Sequence, residues 1–111
     1  MALVISNHGQ PFIRNSGGTS ASAPFWAGLI ALADQYAGRH LGLVNPAIYR
    51  IGGSSIGHRV FHDITRGDNT VRFPPKTFTD YRASRGWDPV TGWGSPDARL
   101  LVSLLARLDR H

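Results

Sequence analysis

The residues with the clearest chemical potential form one short run, Ser16-Gly17-Gly18-Thr19-Ser20-Ala21-Ser22-Ala23-Pro24. A serine placed where a glycine loop becomes the start of a helix has its hydroxyl beside backbone N–H groups that lack intrahelical acceptors. Such groups favour the negative charge that develops during acyl transfer. Gly17 and Gly18 let the backbone turn sharply and leave space for a substrate. Ser20 is therefore a candidate nucleophile. The competing interpretation is structural, with Thr19 or Ser20 serving as an N-cap worth about 1 kcal/mol. A phosphate loop would place a lysine directly after the glycines, and none follows here.

A nucleophilic serine needs a base, and the base needs an orienting partner. The histidines at 8, 40, 58, 62 and 111 stand in no recognisable relation to Ser20, and the chain has no Glu. A base for Ser20 would have to come from sequence that this chain lacks. Asp63 and Asp88 offer a second chemistry. Both lie in irregular, glycine-flanked backbone whose carbonyls can turn inward, and a hard cation such as Ca²⁺ takes about 6–8 oxygens of this mixed kind. The spacing is not that of an EF-hand, and turn-forming aspartates explain the same pattern without a metal.

The elements that would hold these groups can be read from pattern. Residues 2–5 and 11–13 form short strands around a turn at 6–10, a plausible hairpin. Ala21 to Ala37 reads as a helix apolar on nearly all sides and hence buried, stopped by Gly38. Asn45-Pro46 caps and opens a short helix through about Ile51. From Ser54 to Trp93 periodicity fades, leaving strand-like pieces at Arg59-Val60-Phe61 and Val71-Arg72-Phe73. So long an irregular stretch needs a ligand, a metal or other protein to tie it down. The final helix is capped by Ser95, opens at Pro96 and sets Leu101, Leu104, Leu105 and Leu108 on one face, with Arg99, Ser103, Arg107 and Arg110 on the other. Trp26 belongs to the core, and Trp87 and Trp93 read as apolar anchors rather than substrate platforms.

Composition narrows the classes. The 111 residues carry a net charge of +5, from eleven Arg, Lys76 and seven Asp. The arginines are dispersed, so a solvated basic surface is expected rather than a nucleic-acid footprint. The absence of Cys excludes thiolate zinc clusters, disulfides and cysteine nucleophiles. No apolar run reaches the length of a bilayer span, and the first residues read as a strand rather than a signal peptide. No membrane or nucleic-acid partner is expected.

Three segments in order resemble the sedolisin family of serine-carboxyl peptidases, which includes the tripeptidyl-peptidases: Gly18-Thr19-Ser20 with Pro24; Phe61-His62-Asp63-Ile64-Thr65-Arg66-Gly67-Asp68-Asn69; and Gly86-Trp87-Asp88-Pro89-Val90-Thr91-Gly92-Trp93-Gly94-Ser95-Pro96. The first is shared in form with subtilisin-like enzymes, whereas the other two distinguish the sedolisins. The resemblance covers about residues 3 to 106. It implies an α/β, subtilisin-like three-layer fold with a mostly parallel sheet, of which residues 1–111 are the C-terminal part. Within that part lie a nucleophile loop and helix (16–38), a calcium-binding loop region (61–94) and a C-terminal helix (95–109).

The same resemblance implies that Ser20 is the nucleophile. One Ca²⁺ would be held by the side chains of Asp63 and Asp88, the carbonyls of Ile64, Ser84 and Gly86, and water. Ser84 stands where the family commonly has Gly, and it would be strained if that position required positive φ. The family's Glu base, its orienting Asp and an oxyanion-assisting Asp precede the serine in sequence, and no acidic residue precedes Ser20. The implied activity is hydrolysis of peptide or protein substrates at acidic pH, in a secreted protein or an acidic compartment. The chain would be inactive without the upstream remainder of its catalytic domain. The alternative is a non-catalytic, calcium-stabilised structural or binding module.

Overall fold

The computed structural model describes residues 2–15 and 17–108, so the expectations placed on Ser16, Asp109, Arg110 and His111 lie outside the described residues. The chain opens with strands β1 (Ala2–Asn7) and β2 (Gln10–Asn15), paired antiparallel with Val4 opposite Ile13 and Ile5 opposite Phe12. His8 and Gly9 form the two-residue turn with φ of 50° and 79°. Positive φ at both central positions matches the right-handed twist of the flanking strands. Val4, Ile5, Phe12 and Ile13 are all exposed, so the hairpin stands outside the core.

Helix α1 (Thr19–Ala37) ends at Gly38, whose φ of 71° lets its N–H reach back to the last turn. Short helices α2 (Asn45–Gly52) and α3 (Gly57–Val60) follow, and Val44, not Asn45, occupies the N-cap of α2 without a side-chain bond. Strand β3 (Phe61–His62) pairs antiparallel with β6 (Ser95–Pro96), and β4 (Val71–Phe73) with β5 (Lys76–Phe78). Helix α4 (Ala98–Leu108) closes the described chain. The predicted strand at 59–61 is divided between the end of α3 and the start of β3.

The pairing of β6 with β3 explains where α4 begins. Ser95 and Pro96 are held extended opposite His62 and Phe61, so they cannot cap the helix or start it. Asp97 takes the role instead: its N–H donates to the Val60 carbonyl at 2.7 Å, and its Oδ1 accepts the N–H of Leu100 at 3.0 Å. The predicted Ser95 cap is thus displaced by two residues, because a tertiary ladder claimed the first polar candidate.

The core gathers Leu29 and Ala33 of α1, Leu41, Ile51, Val60 and Phe61, and Leu101 and Leu105 of α4. Burying each Leu or Val side chain contributes about 1.5–3 kcal/mol. The expectation of an all-round buried α1 is corrected. Trp26, Ile30 and Ala37 pack at the core edge, while Phe25, Leu32 and Tyr36 are exposed, because α4 and its neighbours cover only one side of the helix. Among the described residues the architecture is mixed α and β, with three separate antiparallel ribbons and no parallel pairing. No described helix is long and apolar enough to cross a membrane.

Candidate functional site

The N-terminus of α1 is left open by its own sequence. Gly18 is the N-cap at φ 74°, ψ −169° and has no side chain to offer, so Thr19 and Ser20 occupy the first two helical positions and neither caps. The Gly18 carbonyl accepts the N–H groups of Ala21 (3.1 Å) and Ser22 (3.2 Å) and the Ser22 hydroxyl (3.2 Å). Ser20 is exposed, and its hydroxyl has no hydrogen-bond partner among the described residues. Four residues on, Pro24 has no N–H to give to the Ser20 carbonyl. The capping interpretation of Thr19 and Ser20 is therefore replaced by an unengaged hydroxyl at the positive end of a 19-residue helix.

No described histidine bonds to Ser20. His8 sits in the β1–β2 turn, and His40 Nδ1 lies 3.0 Å from Asp34 Oδ2. Asp34 also accepts the Leu41 N–H at 2.9 Å, closing the turn after α1. That backbone donor, followed by His40, holds the Asp34 carboxyl below its ordinary value.

The second site is built around two aspartates with opposite degrees of satisfaction. Asp88 is 1% exposed, and its carboxylate accepts four bonds. Oδ1 takes the N–H groups of Val90 (3.0 Å) and Thr91 (2.8 Å), and Oδ2 takes the Thr91 hydroxyl (2.8 Å) and the Ser84 N–H (3.2 Å). Burial pushes this carboxyl up, yet the donors led by Thr91 outweigh it and hold it below the ordinary value. A backbone exchange between Asp88 and Gly92 seals the loop, with N–H to carbonyl distances of 3.2 and 2.8 Å.

Asp63 is tied to the same loop. Its Oδ2 accepts the Gly86 N–H at 2.7 Å, 23 residues away in sequence. Its Oδ1 is buried without a partner. A buried carboxylate oxygen left bare is costly, so this atom fits a cation. Asp88 has no free acceptor position in this structure, and to serve as a cation ligand it would have to give up one of its four donors. The structure thus pairs Asp63 with Gly86 and Asp88 with Ser84 in two separate bonds along one loop, and Ile64 enters only as the sequence neighbour of Asp63. Ser84 is not in the positive-φ region, which in this fold is reached among non-glycine described residues by His8 alone. Serine there is unstrained.

The long irregular stretch is tied down largely by its own polar side chains. Asn69 Oδ1 accepts the N–H groups of Asp80 (3.2 Å) and Tyr81 (2.9 Å), closing the base of the β4–β5 ribbon. Gly94, at φ 104°, passes so close to β3 that a Cβ would lie 1.9 Å from the His62 carbonyl oxygen. Trp93 is half-buried against the core and meets Tyr49 edge-on at 6.1 Å. Trp87 is exposed on one side, and its Nε1 donates to the Tyr49 hydroxyl at 3.3 Å. The anchoring role expected of both tryptophans belongs mainly to Trp93. The bonding roles of Thr91 and Asn69 are not evident from the sequence. The Asp-x-x-Thr spacing that sets Thr91 on Asp88 is the one local signal that could have shown the first of them.

Known proteins place this arrangement in a family. The chain is 44% identical to kumamolisin from Bacillus sp. (strain MN-32) over 90 residues, 80% of its length. It is 37% identical over 96% of its length to tripeptidyl-peptidase sed1 of Aspergillus fumigatus, and 33% identical over 92% to tripeptidyl-peptidase 1 of Bos taurus. No family model matches it. The chain belongs to the sedolisin family of serine peptidases. It spans 15% of the length of each of the first two relatives and 18% of the third.

Proposed function

We propose that this chain is the C-terminal part of a sedolisin catalytic domain and that it carries the nucleophile of a serine-type peptidase, either an endopeptidase or a tripeptidyl-peptidase. The observation that carries the reading is Ser20, an exposed hydroxyl without a partner among the described residues, on a helix N-terminus with no side-chain cap. In the complete domain Ser20 Oγ bonds to the carbonyl carbon of a peptide as its proton passes to an upstream carboxylate. The C–N bond then breaks, the amine leaves with a proton, and water hydrolyses the acyl ester to regenerate the hydroxyl. The unbonded N–H groups of the first turn favour the oxyanion. A carboxylate base accounts for an acidic working pH.

The remainder of that domain supplies the Glu and the two Asp residues, most of the substrate subsites, and the mostly parallel sheet of a three-layer fold. The exposed Phe25, Leu32 and Tyr36 face of α1 supports such a cover. The proposed setting is secretion or an acidic compartment. Asp63, Asp88 and the carbonyls of Ile64, Ser84 and Gly86 would hold one Ca²⁺. When bound, that ion neutralises two carboxylates and locks the 61–94 region, a structural contribution rather than a reactive one.

The test uses both the 111-residue chain and a longer chain that restores the upstream carboxylates. The short chain should show no peptidase activity, and Ser20→Ala should abolish activity in the long one. Robust hydrolysis by the short chain would overturn the reading. A chelator should lower the melting temperature of the long chain, and Asp63→Ala with Asp88→Ala should remove that sensitivity. A melting temperature indifferent to calcium and chelator would dismiss the metal.

A further inference from the structure

Between Gly67 and Ala83 the chain leaves the core and returns to it. The base of this excursion is closed by the Ala83 N–H, which donates to the Gly67 carbonyl at 2.8 Å, and by the Asn69 N–H, which donates to the Tyr81 carbonyl at 3.3 Å. From there β4 and β5 run out to a turn at Pro74-Pro75. Their register sets Val71 opposite Phe78 and Phe73 opposite Lys76. Strand alternation therefore puts these four side chains on one face and Arg72 and Thr77 on the other. The Thr70 and Thr79 hydroxyls bond to each other across the ribbon. The first face is apolar apart from Lys76, and it lies open. Residues 71–80 are exposed throughout, Phe73 by 67%, and none of them joins the core cluster.

A two-stranded ribbon is marginal in water, and a third strand or a covering layer is what lets one stand. Among the described residues β4 and β5 pair only with each other, so each keeps an outer edge of unpaired backbone groups. Segment 66–85 carries five exposed cations, Arg66, Arg72, Lys76, Arg82 and Arg85, against the two carboxylates of Asp68 and Asp80. Asp68 is already engaged, its Oδ1 accepting the Thr70 N–H at 3.0 Å. We propose that the ribbon docks an extended acidic polypeptide segment. The segment adds as a third strand on one open edge, sets alternate apolar side chains beside Val71, Phe73 and Phe78, and turns its carboxylates to Lys76 and the neighbouring arginines. The backbone ladder supplies affinity and the alternate side chains supply selectivity. Other occupants fit less well. A second copy would bring like-charged ribbons together. Lipid would leave the open edges without partners in hydrocarbon. A dry apolar cover would bury Lys76 unpaired. Neither catalysis nor calcium enters the proposal.

The probe is a fluorescein-labelled decapeptide alternating Glu and Val, titrated into the 111-residue chain by anisotropy and located by ¹⁵N chemical shifts. It should bind with shifts confined to residues 66–85. Phe73→Ser, or methylation of alternate peptide nitrogens, should weaken it about tenfold, and a Lys-Val decapeptide should not bind. Absence of binding, shifts centred elsewhere, or equal affinity for the methylated or Lys-Val peptide overturns the proposal. Three further results would overturn it in favour of another occupant. One is co-sedimentation with phosphatidylserine–phosphatidylcholine vesicles that Phe73→Ser abolishes. Another is a dimer in sedimentation that the same change dissolves. The third is a longer chain, restoring the upstream carboxylates, whose ribbon amides are protected from exchange and which ignores the peptide. Phe73 lies outside the core, so the amide spectrum of α4 should be unchanged in Phe73→Ser. If it changes, the methylated peptide tests the same contact on the wild type.

Discussion

The start of α1 and the Ser84–Gly94 loop are both glycine-rich, irregular and centred on one polar side chain, yet they are finished to very different degrees. Asp88 is enclosed, and all four of its acceptor positions are filled from within eight residues of chain. Ser20 is exposed and bonded to nothing described. A carboxylate taken out of water must be satisfied by the chain that buries it, whereas a hydroxyl left in water carries no such requirement and stays free to react. The contrast separates a group that holds structure from one left open to solvent.

Removing each group should expose that difference most sharply at Asp88. Asp88→Ala strips four donors of their acceptor in a buried site and should cost about 3 kcal/mol or more, read as a fall in denaturation midpoint. A loss below about 1 kcal/mol would mean that the loop is not organised by this side chain. Next comes Asp97→Ala, which removes the α4 cap and should cost about 1 kcal/mol, whereas Ser95→Ala should cost little. Equal losses would return the cap to Ser95.

A smaller effect is expected at the other end of α1. Asp34 is held below its ordinary value by the Leu41 N–H and His40, so it binds fewer protons folded than unfolded. Its stabilising contribution is present above about pH 4, the unfolded carboxylate value, and disappears as pH falls through the lower folded value. Asp34→Asn should flatten that part of the acid-unfolding curve; an unchanged curve would show that the turn after α1 does not depend on the charge. Smallest of all, Ser20→Ala should alter stability by no more than about 0.5 kcal/mol, as fits an exposed residue without bonds. A larger loss would make Ser20 structural after all and would erase the contrast with Asp88.

Local chemistry was legible wherever neighbours in sequence decide it. The Gly38 stop of α1, the hairpin between residues 2 and 15, the four-leucine face of α4 and the family motifs all follow from short-range pattern. The errors share one cause. Ser95 is a good cap in isolation, but its pairing with His62 outranks capping. Ala21 to Ala37 is apolar all round, but burial depends on what else lies nearby, and only the Leu29 and Ala33 side meets α4. The irregular 54–93 region looked in need of an outside tie, and much of it comes from within: Asn69 and Asp63 bond to distant backbone, and Asp88 closes its own loop.

By itself, the sequence determined the family and which residues are candidates for nucleophile and cation ligands, because residue type and order carry the motifs. Only the tertiary structure decided which donors are already satisfied. It left Asp63 Oδ1 and Trp93 Nε1 buried and bare, and the Ser20 hydroxyl without a partner among the described residues. Asp88 is filled by its own loop, whereas Asp63 is met by backbone 23 residues away, an approach set by packing that local pattern does not specify.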